Sequence, residues 1–136
     1  MDGYSVVDTD DVPRVDMSEM LDGLLDPDVR RIQSELGTDE SVVNVWYFEP
    51  GEQMPHHHHD EQEEVLYVLA GEFEVTLGEP GDVERRTVGP GDFWAAGPGV
   101  GHGHKYVGDD EGVVLGIGAP NVPDINSDTW QSVDEV

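Results

Sequence analysis

The sequence predicts an all-β domain, a sandwich or a jelly-roll barrel, with a short helical segment ahead of it. Valine is the commonest apolar residue, 20 of 136 against 8 leucines and 4 alanines, and β-branched side chains suit a pleated, half-buried surface. Seventeen glycines and nine prolines fall where tight turns would separate short runs. The run Glu72-Phe73-Glu74-Val75-Thr76-Leu77 alternates polar and apolar residues, which places Phe73, Val75 and Leu77 on one buried face. Length and a charged fraction of 27% fit one globular domain.

The helical segment comes first. Ser18 can cap a turn that carries Met20, Leu21, Leu24 and Leu25 on one side. A second helix has Asp26 as N-cap, Pro27 at the first helical position, Val29, Ile32 and Leu36 on one stripe, and Gly37 as its stop. Strands follow at about 42–48, 56–60, 64–70, 72–77, 83–88, 93–96, 102–107 and 113–119. Turns separate them at Pro50-Gly51, Ala70-Gly71, Gly78 to Gly81, Gly89 to Gly91, Gly97 to Gly101 and Gly108 to Gly112. Eight strands with no intervening helix make the barrel, residues 41–119. Residues 1–40 read as an arm with short helices, and 120–136 as an extended C-terminal arm.

Charge narrows the partners. Six basic residues face 31 acidic ones, a formal net charge of −25. Nucleic-acid binding needs a basic face that displaces counterions from phosphates, and an anionic membrane surface needs the same, so both are excluded. The acids run from Asp2 to Glu135 and coat the whole surface. That pattern resembles proteins from halophiles, in which molar salt shortens the Debye length to about 3 Å and screens the repulsion; a cationic partner is the other reading. No apolar run approaches the ~20 residues that span a bilayer, and the start of the chain lacks a basic, then apolar, leader. The expectation is a cytoplasmic protein. With no cysteine, any metal is held by His, Asp or Glu.

The chemistry concentrates in Gly51 to Gly71. In a strand, residues two apart share a face, so His57 and His59 can point together while His56 and His58 point away. After a turn at Asp60 to Gln62, Glu64 can face the same spot, and His102 can bring a further imidazole from a distant strand. Imidazoles and a carboxylate converging inside a barrel suit a first-row transition metal. A slipped register would use His56 and His58 instead, Glu63 could replace Glu64, and four histidines among acids could form a solvated chelating loop.

Two motifs sharpen this. Gly51, His57, His59, Glu64 and Gly71 fill every fixed position of G-x5-H-x-H-x4-E-x6-G, and Gly91, Gly99 and His102 fill most of G-x5-P-x-G-x2-H-x3-N. Together they resemble the paired motifs of the cupin superfamily over roughly residues 42–119. Gly97 stands where that pattern has Pro, and Tyr106 where it has Asn. The resemblance implies a double-stranded β-helix barrel with one divalent transition metal (Fe, Mn, Ni, Co, Cu or Zn) bound by His57, His59, Glu64 and His102. It also implies one or two open coordination positions. Dioxygenase, isomerase, decarboxylase and epimerase chemistry are all compatible; a non-catalytic ligand- or metal-binding barrel is the alternative.

His104, two residues beyond His102, is expected to face the same cavity, and with Glu64 it is a candidate proton acceptor. Tyr106, Trp46, Tyr47 and Trp94 read as structural. If Glu64 faces inward so do Leu66 and Val68, which leaves Val65, Tyr67 and Leu69 as an apolar outer face. The N-terminal helices or a second copy in a homodimer would cover it.

Overall fold

A computed structural model describes residues 1–18, 25–122 and 130–136. After a 3₁₀ turn at Thr9–Asp11, the chain forms β1 (Arg14–Val15), β2 (Asp28–Arg30), α1 (Ile32–Leu36), β3 (Val42–Phe48) and β4 (Gln53–His57). Then come β5 (Glu63–Ala70), β6 (Phe73–Leu77), β7 (Glu84–Val88), β8 (Phe93–Ala96), β9 (His102–Tyr106) and β10 (Gly112–Ala119). Two antiparallel sheets face each other, one ordered β1-β2-β3-β10-β5-β8 and the other β4-β9-β6-β7. This is the double-stranded β-helix that the two motifs imply.

The inward alternation of each strand builds the core. Phe48, Leu66, Val68, Phe73, Val75 and Val114 are each at most 1% exposed. The Phe48 and Phe73 rings meet edge to face, 5.0 Å between centroids, across the two sheets. Burial of such side chains is the main favourable term here, about 1.5–3 kcal/mol for each large one. Tyr106, buried in the same cluster, accepts a hydrogen bond from the Asp110 amide at 3.1 Å through its hydroxyl. At Gly71, φ is +86° and a Cβ would stand 2.6 Å from the Tyr106 ring, so this fixed motif position admits only glycine.

The N-terminal region departs from expectation. The helix expected from Ser18 falls largely on residues outside those described. The second helix is reduced to its last five residues. Asp28–Arg30 is a strand paired with Tyr47, Trp46 and Val45, and Val29 is buried there. Sheet pairing overrides the helix-start signal of Asp26-Pro27, because Val29 gains more from the sheet than from one turn. Gly37, in the left-handed region at φ +74°, does end α1.

Nor, among the described residues, does the N-terminal segment cover all of the outer face of the six-stranded sheet. It runs along the β3 edge, where Arg30 donates to the Thr9 and Val12 carbonyls and the Arg14 guanidinium lies 4.0 Å above the Tyr47 ring. Farther along, Val65, Leu69, Phe93 and Ile117 remain 39–68% exposed.

The end of the chain is a strap, not a free arm. Gln131 exchanges backbone hydrogen bonds with His56, at 2.7 and 2.9 Å, on the edge strand β4. Val133 is fully buried and its amide donates to Gln53 Oε1 at 2.7 Å. Arg85 donates to the carbonyls of Val133 and Val136, and Lys105 pairs with Asp134 at 3.0 Å.

Candidate metal centre

His57 closes β4, His59 lies in the loop after it, Glu64 stands near the start of β5, and His102 opens β9. One ring nitrogen from each of His57, His59 and His102 lies within 4.8 Å of the other two. The Glu64 carboxylate flanks them, 3.7 Å from His59 Nε2 and 3.5 Å from His102 Nε2. All three imidazoles are buried.

Backbone contacts fix which nitrogens face one another. His57 Nδ1 donates to the Pro55 carbonyl at 2.7 Å, and His102 Nδ1 to the Val100 carbonyl at 3.2 Å. With Nδ1 so engaged, each ring turns its Nε2 toward the other two, the nitrogen a neutral imidazole would offer as an acceptor. His102 Nε2 and both nitrogens of His59 are buried with no hydrogen-bond partner. Acceptors that face acceptors and a carboxylate at these distances fit a cation between them.

The electrostatics match. Burial pushes His57 down to about 3, with the neighbouring His102 acting in the same direction. Burial opposes ionisation of Glu64, but the adjacent His102, His57 and His59 outweigh it and hold the carboxyl at about 2. The set is ready to bind a metal without first shedding protons from these two groups.

The other two histidines of the run serve elsewhere. His56 turns to the opposite side of β4, where Nε2 donates to the Gly78 carbonyl and Nδ1 meets the Thr76 hydroxyl, both at 2.8 Å. His58 points outward, 3.5 Å from Asp60. A register irregularity between Met54 and His57 in the pairing with β9 helps turn the run inward. The second motif steadies it: Gly99, at φ +78°, donates its amide to the His59 carbonyl at 2.7 Å. Gly97, in the place of a proline, still closes this turn by accepting from Val100 at 3.1 Å.

His104 does share the inward face with His102, but it does not line the cavity. It is enclosed by Phe48, Trp94 and Phe73, with ring centroids 5.3, 5.1 and 5.8 Å away. Neither of its nitrogens has a partner, and burial holds its pKa near 3.

A cavity of about 450 Å³ opens beside the imidazoles and Glu64, within the size range of small-molecule sites. Trp46, expected to be structural, is one of its walls, as are Asn44, Met54 and Arg31. Trp130 from the strap is another, stacked on the His57 ring. Alternation could have shown Asn44 and Trp46 on the same face as Phe48; nothing local in the sequence marks Trp130, which arrives by long-range docking. Among the described residues no helix is long and apolar enough to cross a membrane.

Comparison with known structures supports the fold. The KdgF structure from Halomonas sp. superposes with a TM-score of 0.71 at 21% identity, over 87% of this chain and 96% of that one. A conserved protein with a double-stranded β-helix domain from Klebsiella pneumoniae gives 0.65 at 28% identity, over 85% and 89%. A sugar phosphate isomerase of the cupin superfamily from Silicibacter pomeroyi gives 0.71 at 23% identity, over 86% and 76%. No curated protein matches the sequence. Residues 44–118, which hold both histidine motifs and six of the ten described strands entire, match the model of the Cupin domain family, and the chain belongs to that family.

Proposed function

We propose that the chain is a metal-dependent enzyme of the dioxygenase or isomerase type, acting on a small organic molecule. One divalent transition metal would be held by His57, His59, His102 and Glu64. The observation that carries this reading is the meeting of three buried imidazole acceptors with a carboxylate at the wall of an open cavity. When bound, the metal would supply Lewis-acid polarisation of a ligand oxygen, or oxygen chemistry at an open position.

The chain's own residues set up that chemistry. Pro55 and Val100 carbonyls fix the tautomers and ring orientations of His57 and His102. Trp130 and Trp46 present apolar walls that keep water from a bound molecule. Glu64, held ionised, is the one carboxylate among the described lining residues and the candidate to accept a proton from that molecule. His104 is walled off by aromatic rings, and its surroundings offer no route to a substrate. Under the same reading, two copies pack through the outer face that carries Val65, Leu69, Phe93 and Ile117.

The test is elemental analysis of untagged protein, with His57→Ala and His58→Ala variants alongside. One metal per chain is expected in the parent and in His58→Ala, with loss in His57→Ala. Stoichiometric metal retained by His57→Ala would overturn the assignment.

A further inference from the structure

Five of the chain's six cationic side chains are matched to carboxylates. Arg14 meets Glu111 and Asp28, Arg30 meets Asp10, Arg85 meets Glu74, Arg86 meets Glu84, and Lys105 meets Asp134. Among the described residues, Arg31 has no ion pair, although 31 acids are available to the chain. Its place is the cavity, whose described lining includes Arg31 and one carboxylate, Glu64. An acid-lined mouth would repel anionic substrates; among the described lining residues Glu64 is the single carboxylate. With a divalent ion bound, Glu64 and Arg31 cancel, and the cavity keeps the ion's positive charge inside an acidic shell. An unpaired guanidinium beside an apolar wall is suited to a planar anion, which it can hold through two parallel hydrogen bonds.

We infer that the cavity selects small carboxylate-bearing molecules, with Arg31 at its mouth pairing the carboxylate while an oxygen donor at the other end of the molecule reaches the metal centre. The inference rests on the metal-site reading above and makes Arg31 a specificity-determining residue. The molecule's apolar body lies between these ends, against Trp46 and Trp130. A single arginine matches one carboxylate. Phosphate would need further donors, and α1, five residues long, offers no anion site of its own.

Cobalt(II)-loaded protein makes the test, because its visible spectrum reports any donor that joins the metal. The probes are 2-oxo diacids of five to seven carbons (2-oxoglutarate, 2-oxoadipate, 2-oxopimelate) and the 2-oxo monoacids of the same lengths. Each pair shares a chelating head and differs only in the distal carboxylate, and the series brackets the span to Arg31. At least one diacid is expected to bind about 10-fold or more tightly than its monoacid, a gap of one such bidentate pair. That preference should fall below about 3-fold in Arg31→Gln, survive in part in Arg31→Lys, and weaken in molar salt. Among the described residues the Arg31 side chain makes no hydrogen bond or ion pair, so Arg31→Gln should fold normally, checked by circular dichroism. Monoacids that bind as well as diacids at every length, or a preference that Arg31→Gln leaves intact, overturn the inference while the metal reading stands. Failure to take up cobalt overturns the metal reading and this inference with it, whereas bound cobalt whose spectrum no 2-oxo acid moves overturns the inference alone.

Discussion

The indole of Trp130 lies flat on the imidazole of His57, with ring centroids 4.2 Å apart and planes only 20° from parallel. The residue that closes β4 is thus pinned from one side by the Pro55 carbonyl and from the other by a ring delivered more than seventy positions later. Removing that support frees His57 to rotate. Trp130→Ala should weaken metal affinity about 10-fold, the scale seen when groups that orient a ligand are lost, while Trp130→Phe should recover most of it. Competition with a fluorescent chelator measures both; equal affinities for the parent and the alanine variant would show the stack to be incidental.

Acid should destabilise the metal-free protein through its buried histidines. Burial holds His57 and His104 near 3 in the folded chain. The unfolded chain takes up protons on both below about pH 6.5, and the folded one does not. Stability contributed above pH 6.5 is therefore lost as pH falls. The depressed Glu64 extends the same trend, from its unfolded value near 4.5 down to about 2. Between pH 7.5 and 5.5 the two histidines together should cost on the order of 2 kcal/mol. Urea melts of the apoprotein at fixed salt give the value, and a flat midpoint across that range would contradict the burial.

His104 offers a cleaner substitution. Both its nitrogens lack partners inside an aromatic box, and an unmet polar group in such a place costs about 1–3 kcal/mol. His104→Leu should raise stability by about 1 kcal/mol and leave metal content unchanged. A variant that folds and binds metal but has lost turnover would return His104 to the reaction.

The exposed Phe93 and its neighbours predict self-association. An outer face with Phe93 at 68% and Leu69 at 49% exposure is larger and more apolar than isolated surface residues warrant. Light scattering at molar KCl should find a dimer for the parent and a monomer for Phe93→Glu. A parent that is monomeric at every concentration rules the pairing out.

Charge predicts a salt requirement. At −25, repulsion among surface carboxylates should fade as the Debye length shrinks from about 10 Å at 0.1 M to about 3 Å at 1 M. The melting temperature should climb between these two KCl concentrations, and a constant value would point to a cationic partner in place of salt.

Most of the barrel was legible because its signals are local. Alternation in Phe73 to Leu77 and the turn glycines placed β3 and β8 to the residue and the other barrel strands within three residues at either end. The histidines and Glu64 were legible from motif spacing; the alternation expected over 56–60 chose the right pair although β4 ends at His57 and His59 lies in the loop beyond it. The N-terminus misled for a definite reason: Asp26-Pro27 is a sound helix start by local chemistry, yet the β3 edge captured Val29. Trp130 and Arg31 left no local trace, since their meaning comes from parts of the chain far away in sequence. Trp46 was visible as an inward residue, but inwardness alone does not separate a core side chain from a cavity wall.

Four histidines in a row resemble an affinity tag, and this fold disarms them. Three are sequestered in the interior and only His58 shows an appreciable part of its ring, 37% of the side chain. An immobilised-nickel column should therefore let the native protein pass on this stretch alone, yet retain it once urea has released the run. Retention on such a resin becomes a gauge of whether a preparation is folded.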